Sequence, residues 1–306
     1  MRIAVTGSSG LLGTALVAAL RADGHEVIRL VRTATGAPGT IAWDPRADRG
    51  GLDPRSLDGV VAVVHLAGAG VADKRWTPAY QAEIRDSRVR GTRALVGSLA
   101  AMATPPAALL SGSAIGWYGD TGGREVTESD PAGSGFLSEV VRDWEAAAGD
   151  AAQAGIRVVT LRSGVVLSPK GGILGRLLPL FRLGLGGRIG TGRQVLSWIG
   201  LSEWVAAARF LLGRDDISGP VNLTTPSPVS NAEFTSALAA AVHRPAMMPV
   251  PVPALKLAVG GVSSDILSSA RVVPRRLLDE GYRFRHPDIA GALAAELSGR
   301  PVTTPA

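Results

Sequence analysis

The sequence contains no cysteine. This absence excludes disulfides, thiolate metal sites and a cysteine nucleophile. The four histidines lie too far apart along the chain to show the paired spacing of a zinc site, so we expect no metal. Lysine occurs at only three positions, and the net charge of +6 comes from arginines scattered over the whole sequence. Because no aromatic residues are interleaved with these arginines, we predict no nucleic-acid partner.

Long apolar runs are missing as well. The most apolar late stretch, residues 246–262, is interrupted by prolines and a lysine and is too short to span a bilayer. The first residues show no charged segment followed by a long apolar segment, which a secretory signal would require. We therefore predict a cytoplasmic protein with no membrane partner. Since 46% of the 306 residues are apolar and only 19% are charged, the chain can bury a sizeable core.

Segments typical of strands alternate with segments typical of helices. Runs rich in β-branched residues, such as 26–31 and 60–66, are followed by stretches with helical apolar spacing, such as 78–101. This order predicts an α/β fold with a Rossmann-type doubly wound parallel sheet and a smaller, mainly helical C-terminal substrate-side region. The predicted parts are a dinucleotide-binding domain over 1–168 with return elements near 195–225, a substrate-side or lid region over 169–250, and a small helical module over 251–298.

A glycine-rich turn follows the first predicted strand. Gly7, Gly10 and Gly13 are spaced three residues apart between a strand pattern and a helix pattern. In this context the first glycine permits a tight turn, the second lets the backbone approach a pyrophosphate, and the third allows close contact between helix and sheet. The N-terminus of the helix supplies N–H donors and a positive dipole end to phosphate. The sequence therefore predicts a dinucleotide site that includes Thr6, Gly7, Ser9, Gly10, Leu11, Leu12 and Gly13.

The residue after the second strand indicates which dinucleotide is bound. NAD-selecting sites place a carboxylate there to accept from the ribose 2′-hydroxyl, but this strand ends at Arg32, followed by Thr33. A guanidinium at this point can clamp a 2′-phosphate through two hydrogen bonds. We therefore predict NADP(H) as the cofactor, with Arg32 and Thr33 in its site. The alternative is that Arg32 is a solvated charge at the end of a strand.

Further short motifs accompany the glycine turn. They are His65–Ala69, Lys74–Thr77, Ser87–Thr92, Ser111–Gly119, Gly135–Leu137, Arg142–Glu145 and Ser197–Ile199. Together they resemble the extended short-chain dehydrogenase/reductase superfamily, and within it an atypical subgroup called epimerase family proteins, which are NAD-dependent epimerase/dehydratase-like. Leu267–Leu278 followed by Gly281–Phe284 is similar to the C-terminal domain of unknown function of that subgroup. The resemblance covers nearly the whole chain.

The resemblance implies further residues at the cofactor. The motif that begins at His65 resembles the one passing the adenine-ribose side, the motif that begins at Ser111 resembles the strand end carrying the active-site serine, and the segment 162–167 resembles the one passing the nicotinamide. These matches add a set of predicted cofactor residues, namely Leu66, Ala67, Gly68, Ser111, Arg162, Gly164 and Val165.

The catalytic pair of the superfamily has no counterpart here. Its reductases use a tyrosine as general acid/base and a lysine four residues later, because a phenol with a pKa of about 10 needs a nearby cation to act near neutral pH. If Glu145 aligns with the glutamate that commonly follows this pair, Leu137 and Val141 occupy the two positions. Neither side chain can transfer a proton. Arg88 likewise stands where extended members carry asparagine.

Three residues are candidates for catalysis. Ser113 matches the serine that orients a carbonyl. Tyr118 follows the same strand and could supply a phenol, although a hydrogen-bonded, packed aromatic is an equally good interpretation. Glu139 lies on the helix that lacks the tyrosine, where a salt-bridging or capping carboxylate is the alternative. Arg88 could supply a cation or be an ion-paired helix residue, and His65 is interpreted as a satisfied core histidine.

These observations leave two main hypotheses for function. The first is an NADP-dependent oxidoreductase or epimerase acting on a small molecule, and the second is a non-catalytic NADP(H)-binding sensor or scaffold. A third, nucleic-acid binding, is suggested only by the basic composition. Basic residues after residue 168 favour an anionic or sugar-like substrate, unless they are ordinary surface charge. The sequence does not identify the substrate or the reaction direction, and it is compatible with a monomer or a homodimer.

Overall fold

A seven-stranded sheet is the central element of the computed structural model, which describes residues 1–33, 36–47, 51–253, 261 and 267–299. In spatial order its strands are Gly219–Leu223 (β11), Arg157–Ser163 (β7), Ala108–Ala114 (β5), Ala62–His65 (β4), Arg2–Thr6 (β1), Glu26–Val31 (β2) and Thr40–Ala42 (β3). β1 pairs in parallel with both β2 and β4, β2 with β3, and β4 with β5. The predicted Rossmann-type α/β sheet is confirmed. The strand order reverses at β1, which is where open α/β sheets bind ligands.

Helices connect these strands and cover the apolar sheet. They are Leu11–Ala22 (α1), Pro78–Ala100 (α2), Phe136–Gly149 (α3) and Leu201–Leu212 (α5). The start of α2 is fixed locally, because Thr77 Oγ1 accepts from the backbone N–H of Tyr80 and Pro78 occupies the first turn. Strand residues such as Ile28, Val63 and Leu109 form one buried cluster with Leu95 and Leu99 of α2.

The chain divides into two compact units, each assembled from separate segments. Unit 1 contains Met1–Trp117, Ser134–Arg162 and Ala208–Val221. Unit 2 contains Tyr118–Gly133, Ser163–Ala207 and the described residues from Asn222 onward. The boundaries predicted at residues 168 and 250 stay predictions.

Unit 2 is built from short strand pairs and helices around a second apolar cluster. Its strands are Glu125–Val126 (β6), Val165–Leu167 (β8), Val195–Leu196 (β9), Trp198–Gly200 (β10), Val229–Ser230 (β12) and Arg271–Val272 (β13). Its helices are Gly172–Arg182 (α4), the first part of α5, Asn231–Ala241 (α6), Arg275–Asp279 (α7) and Ile289–Leu297 (α8). Trp198, Phe181 and Phe234 are buried in the cluster together with Leu293 of α8.

The C-terminal segment is bonded into unit 2 at several points. β13 pairs in parallel with β6, and Ser197 Oγ bonds to both the carbonyl of Ala270 and the N–H of Val272. Glu203 of α5, which is buried, accepts from the hydroxyl of Tyr282 at 2.5 Å and from two backbone N–H groups of residues 285 and 286. Part of the module predicted over 251–298, residues 254–260 and 262–266, lies outside the described residues.

Candidate cofactor cleft and active site

The glycine turn after β1 owes its shape to close backbone contacts. Gly7 has a φ of +63°, and a Cβ at this position would lie 2.6 Å from the carbonyl carbon of Leu66. A Cβ at Gly13 would lie 2.2 Å from the carbonyl oxygen of Gly7. Both distances are far shorter than any real contact, so any other residue at either position would displace the backbone. This explains why glycine is needed at position 7 for the tight turn. It also explains why glycine is needed at position 13 for the close contact between helix and sheet.

The N-terminus of α1 has the properties of an anion site. Gly10 precedes the helix without a side-chain cap, and the first turn contains no acidic residue. A Cβ at Gly10 would meet only the carbonyl oxygen of Gly7, at 3.3 Å. The N–H groups of Leu11, Leu12 and Gly13 belong to the first turn, where no intrahelical acceptor exists. These donors and the helix dipole favour a bound phosphate.

A cleft of about 540 Å³ lies beside this turn. It is lined by five of the predicted cofactor residues, which come from three separate stretches of sequence: Gly7, Ser9, Arg32, Ala67 and Gly68. The fold thus brings together the glycine turn, the end of β2 and the loop after β4. Thr33 follows Arg32 on the exposed surface, and Leu66 contacts Gly7 directly.

Two further arginines, which the sequence motifs do not indicate, line the same cleft. Arg46 follows β3 and Arg90 lies on α2, and both are exposed, as Arg32 is. Their sequence signal was weak, because arginine is common throughout the chain. Three carboxylates also line the cleft, those of Asp73, Glu83 and Asp86.

A buried hydrogen-bond network holds the end of β1 against the end of β4. Thr6 Oγ1 bonds to Nδ1 of His65 at 2.7 Å and accepts from the N–H groups of Leu66 and Ala67. Nε2 of His65 bonds to Thr92 Oγ1 at 2.9 Å. Burial lowers the pKa of His65 from 6.5 to about 4, so the ring is neutral near pH 7. These contacts agree with the interpretation of His65 as a satisfied core histidine.

The end of β5 carries Ser113, whose hydroxyl belongs to a buried polar cluster. It donates to Glu145 Oε1 of α3 at 2.5 Å. Arg162 of β7 donates to both oxygens of the same carboxylate, each at 2.9 Å, and only 3% of its side chain is exposed. The guanidinium also stacks on Trp117, with its central carbon 4.0 Å from the ring centroid. The sequence motifs do not predict the bond between Glu145 and Ser113, which are 32 residues apart.

The face of α3 next to the end of β5 is apolar. A Cβ at Gly116 would lie 3.3 Å from Leu137 Cβ and 3.8 Å from Val141 Cγ2. These two side chains lie one helical turn apart and point to the same side of the helix. They occupy the positions to which the resemblance assigns tyrosine and lysine, and α3 contains neither residue type.

The other two candidate catalytic residues have surroundings of their own. Tyr118 belongs to unit 2, where it is 3% exposed and donates through its hydroxyl to Asn222 Oδ1 at 2.8 Å. Asn222 in turn donates to the carbonyl of Val273. Glu139 is exposed in the first turn of α3, where a carboxylate stabilises the positive end of the helix dipole.

The remaining predicted cofactor residues lie within β5, near the end of β7 and in the segment that follows β7. Ser111 is buried on β5, opposite His65 in the pairing with β4. Gly164 and Val165 belong to unit 2, and a Cβ at Gly164 would lie 2.8 Å from the carbonyl oxygen of Ser197. The guanidinium of Arg162 is engaged by Glu145. Over the described ranges, no group of three or more His, Asp or Glu could hold a metal ion.

Comparison with known protein families gives an assignment for nearly the whole chain. The model of the NAD dependent epimerase/dehydratase family matches residues 3–223, and a domain of unknown function, DUF1731, matches residues 250–296. The chain belongs to the NAD dependent epimerase/dehydratase family. The family resemblance predicted from the motifs, including the C-terminal domain, is confirmed.

Several known proteins are similar to nearly the whole of this chain. An epimerase family protein of Mycobacterium bovis is 46% identical over 292 residues, which are 95% of this chain and 96% of the relative. The crystal structure of the human epimerase family protein SDR39U1 with NADPH has a TM-score of 0.88 and 34% identity, covering 98% of this chain and all (100%) of that one. A nucleoside-diphosphate sugar epimerase of Corynebacterium glutamicum has a TM-score of 0.80 and 38% identity over 97% of this chain and 58% of its own.

The family assignment agrees with the chemistry of the described cleft. Its glycine turn, its uncapped helix N-terminus and its arginine at the end of β2 are the features with which Rossmann-type folds hold a dinucleotide. Among the helices that the structure describes, none has both the length and the apolar character needed to cross a bilayer.

Proposed function

We propose that this protein binds NADP(H) in the cleft beside the glycine turn. The observation that carries the proposal is the position of Arg32, which lines the same cleft as Gly7 and Ser9 and stands where an NAD-selecting site would place a carboxylate. The NADPH in the crystal structure of the human relative supports the same cofactor.

Different residues of the cleft would bind different parts of the cofactor. The first-turn N–H groups of α1 would hold the diphosphate, and Arg32, together with Arg46 or Arg90, would pair with the 2′-phosphate. The loop Leu66–Gly68 would face the adenine-side ribose. The contribution of Ser111, Arg162, Gly164 and Val165 at the nicotinamide side rests on the family resemblance. When bound, NADP(H) would supply or accept a hydride at its nicotinamide ring.

Titration of the purified protein with NADPH and NADH tests the cofactor. We expect NADPH to bind at least tenfold more tightly, because charge-assisted hydrogen bonds to the 2′-phosphate are worth about 1.5–3 kcal/mol. Fluorescence of the reduced nicotinamide and isothermal calorimetry both measure the two affinities. Equal affinity, or tighter NADH binding, would remove the proposal.

For the chemistry, we propose an oxidoreductase or epimerase acting on a small anionic or sugar-like molecule. The family and the position of Ser113 at the end of β5 support a reaction. The name of the Corynebacterium relative supports a sugar nucleotide as one substrate class. Tyr118 and Glu139 are proposed as further catalytic groups from the sequence, although the hydroxyl of Tyr118 is engaged with Asn222.

The alternative is a non-catalytic NADP(H)-binding sensor or scaffold. It is favoured by the apolar pair Leu137 and Val141, which cannot move a proton. It is also favoured by the Ser113 hydroxyl, whose proton points to Glu145 rather than to a substrate carbonyl.

Turnover measurements separate the two functions. Oxidation of NADPH would be followed against a panel of carbonyl compounds and nucleotide sugars, and epimerisation would be followed by NMR. Turnover that disappears in Ser113→Ala would establish catalysis at this site. Tight NADPH binding without turnover across the panel would establish the binding function alone.

We propose that the protein has neither a nucleic-acid partner nor a membrane partner. The scattered arginines and the prolines that interrupt the most apolar late stretch support this view. A cytoplasmic location and a monomeric or homodimeric state remain predictions. Sedimentation analysis and a gel-shift assay with DNA and RNA at two salt concentrations would test the oligomeric state and the nucleic-acid partner.

A further inference from the structure

Exposed apolar side chains are concentrated in one part of unit 2. Among the residues that the structure describes, five of the eight exposed large apolar side chains come from two short segments, at the end of α4 and after α6: Leu180, Leu183, Leu185, Met247 and Met248. Leu183 is 72% exposed and Met247 is 81% exposed. Single exposed leucines are ordinary, but a group of neighbouring ones marks an interaction site. We call these five residues the leucine–methionine patch.

The end of α4 brings the three leucines of the patch together. The N–H of Gly184 donates to the carbonyl of Phe181, and the N–H of Leu185 donates to the carbonyl of Leu180. Gly184 has a φ of +74°, which suits glycine. These two bonds form a Schellman motif, which places the residue after the glycine beside the first residue of the last helical turn. Leu185 therefore adjoins Leu180, and Leu183 lies in the turn between them.

The two methionines are fixed beside these leucines by a second backbone segment. Leu185 and Ala246 form an antiparallel bridge, and the N–H of Met248 donates to the carbonyl of Gly186 at 3.3 Å. A Cβ at Gly187 would lie 1.7 Å from the carbonyl oxygen of Met248, so the two segments touch through their backbones. The leucine–methionine patch is therefore one continuous surface built by both segments.

The charge around the patch has a single sign. Arg182 and Arg188 are exposed on the first segment and Arg244 is exposed on the second, where its Nε donates to the carbonyl of Arg182 at 3.3 Å. The stretches 151–202 and 234–253, which contain both segments, have no aspartate or glutamate. An occupant of the patch therefore meets apolar side chains together with positive charge.

This combination distinguishes between the possible occupants. A second copy docked symmetrically on the same patch would bring arginines against arginines, which electrostatic complementarity disfavours. A bilayer surface is typically met by tryptophan and tyrosine, whereas this patch consists of leucine and methionine. Methionine adapts its shape to the irregular side chains of a protein partner. The chemistry therefore favours a protein segment that is apolar on one face and acidic on the other.

We propose that the leucine–methionine patch docks an acidic amphipathic segment of another protein. Apolar side chains of that segment cover the leucines and methionines, and its carboxylates pair with Arg182, Arg188 and Arg244. This interaction goes beyond the proposed function and does not depend on it, because all the residues involved belong to unit 2 and none of them lines the described cleft.

The probe for the test is a labelled synthetic helix of about 18 residues, with leucines on one face and glutamates on the other. A second peptide has lysine in place of each glutamate. Fluorescence anisotropy with the full-length protein measures both affinities. We expect the glutamate peptide to bind about tenfold more tightly than the lysine peptide, and this difference should shrink as salt is added.

Substitutions locate the binding surface. Leu183→Ser combined with Met247→Ser should weaken the glutamate peptide about tenfold, because both side chains lose the chance to be buried. Arg182→Gln combined with Arg244→Gln should weaken it about fivefold and reduce its salt dependence. Leu278→Ser and Arg93→Gln, which change an exposed leucine and an exposed arginine elsewhere, are the matched controls and should bind as the parent does.

Two further measurements keep the result specific. All of these variants should unfold at the temperature of the parent, since exposed positions contribute little to stability. Their affinity for NADPH should equal that of the parent, so failure of the cofactor proposal and failure of this one are seen separately.

Four outcomes would overturn the inference. They are equal binding of the two peptides, unchanged binding by the Leu183→Ser/Met247→Ser variant, a concentration-dependent dimer in sedimentation that this variant abolishes, and binding of phosphatidylglycerol vesicles by the parent without binding of the glutamate peptide. The third outcome would assign the patch to a second copy of the chain, and the fourth would assign it to a membrane surface.

Discussion

Ser113 donates its hydroxyl proton to Glu145 Oε1 at 2.5 Å, and Arg162 donates two hydrogen bonds to the same carboxylate. A carboxylate only accepts, so the direction of the serine bond is fixed. Ser113 then presents lone pairs, not a proton, to any further partner. A substrate hydroxyl or an amide N–H would suit this arrangement better than a carbonyl oxygen.

Glu145→Gln should destabilise unit 1 strongly. The substitution keeps the shape of the side chain but leaves the buried guanidinium of Arg162 without a compensating charge. Removing one partner of a buried ion pair costs about 3–5 kcal/mol. Urea unfolding followed by circular dichroism would measure the loss of free energy of unfolding.

Asp143→Asn is the matched control for that substitution. Asp143 lies two residues earlier on α3 and pairs with Arg85, but both side chains are substantially exposed. Exposed pairs contribute about 1 kcal/mol or less. Equal losses in the two variants would show that the Glu145–Arg162 pair has no special structural role.

Arg32→Ala should change cofactor preference without changing the fold. We expect NADPH to bind about tenfold to a hundredfold more weakly, because charge-assisted hydrogen bonds to one phosphate are lost. NADH binding should stay nearly constant. Arg21→Ala, an exposed arginine on α1 that does not line the cleft, serves as the control. A parallel loss of NADH affinity in Arg32→Ala would mean that Arg32 does not read the 2′-phosphate.

Acidification should destabilise the protein through His65. Its pKa in the folded protein is about 4, below the ordinary value of 6.5, because burial disfavours the charged ring. Between these two pH values the unfolded chain binds more protons than the folded one, so the free energy of unfolding falls as the pH drops. The loss begins below about pH 6.5 and reaches roughly 3 kcal/mol near pH 4.

Carboxylates also titrate toward the lower end of this window, so the His65 contribution needs a difference measurement. Unfolding of the parent and of His65→Gln would be compared over a pH series from 7.5 to 4, in steps of about half a pH unit. The variant should be less stable at pH 7.5 and show a shallower decline. Identical slopes in the two proteins would assign the pH dependence to other groups.

Tyr118→Phe tests whether the phenol has a structural or a catalytic role. The hydroxyl is buried and bonded to Asn222, so its removal leaves a buried acceptor with one partner fewer. We expect stability to fall by about 1–2 kcal/mol and NADPH affinity to stay unchanged. Loss of turnover without loss of stability would instead indicate that the phenol of Tyr118 is catalytic.

Local patterns predicted the Rossmann-type sheet and five of the residues that line the cleft. The glycine spacing and Arg32 are encoded within about thirty residues and depend on strand–turn–helix geometry alone. β3, only three residues long, carries no periodicity that a sequence window could detect, so Arg46 after it was missed. The absence of tyrosine and lysine from α3 was visible directly.

The catalytic side of the site depends on contacts that no local pattern contains. Ser113 and Glu145 are 32 residues apart, and Tyr118 and Asn222 are 104 apart. Arg162 was assigned to the cofactor by resemblance, while its guanidinium bonds to Glu145. Which side chains meet at the carboxyl ends of parallel strands is decided by helix packing, and this packing depends on long-range contacts that local sequence patterns do not reveal.

Thr121 bonds to the carbonyl of Ser269, a residue 148 positions further along the chain, and among the described strands β6 pairs with β13. During synthesis on a ribosome, the first strand of this pair emerges long before the second one exists. Unit 2 therefore cannot close until almost all of the protein has been translated, and until then β6 presents an unpaired edge. An unpaired strand edge favours aggregation, so the nascent chain needs protection while the residues between β6 and β13 are being added.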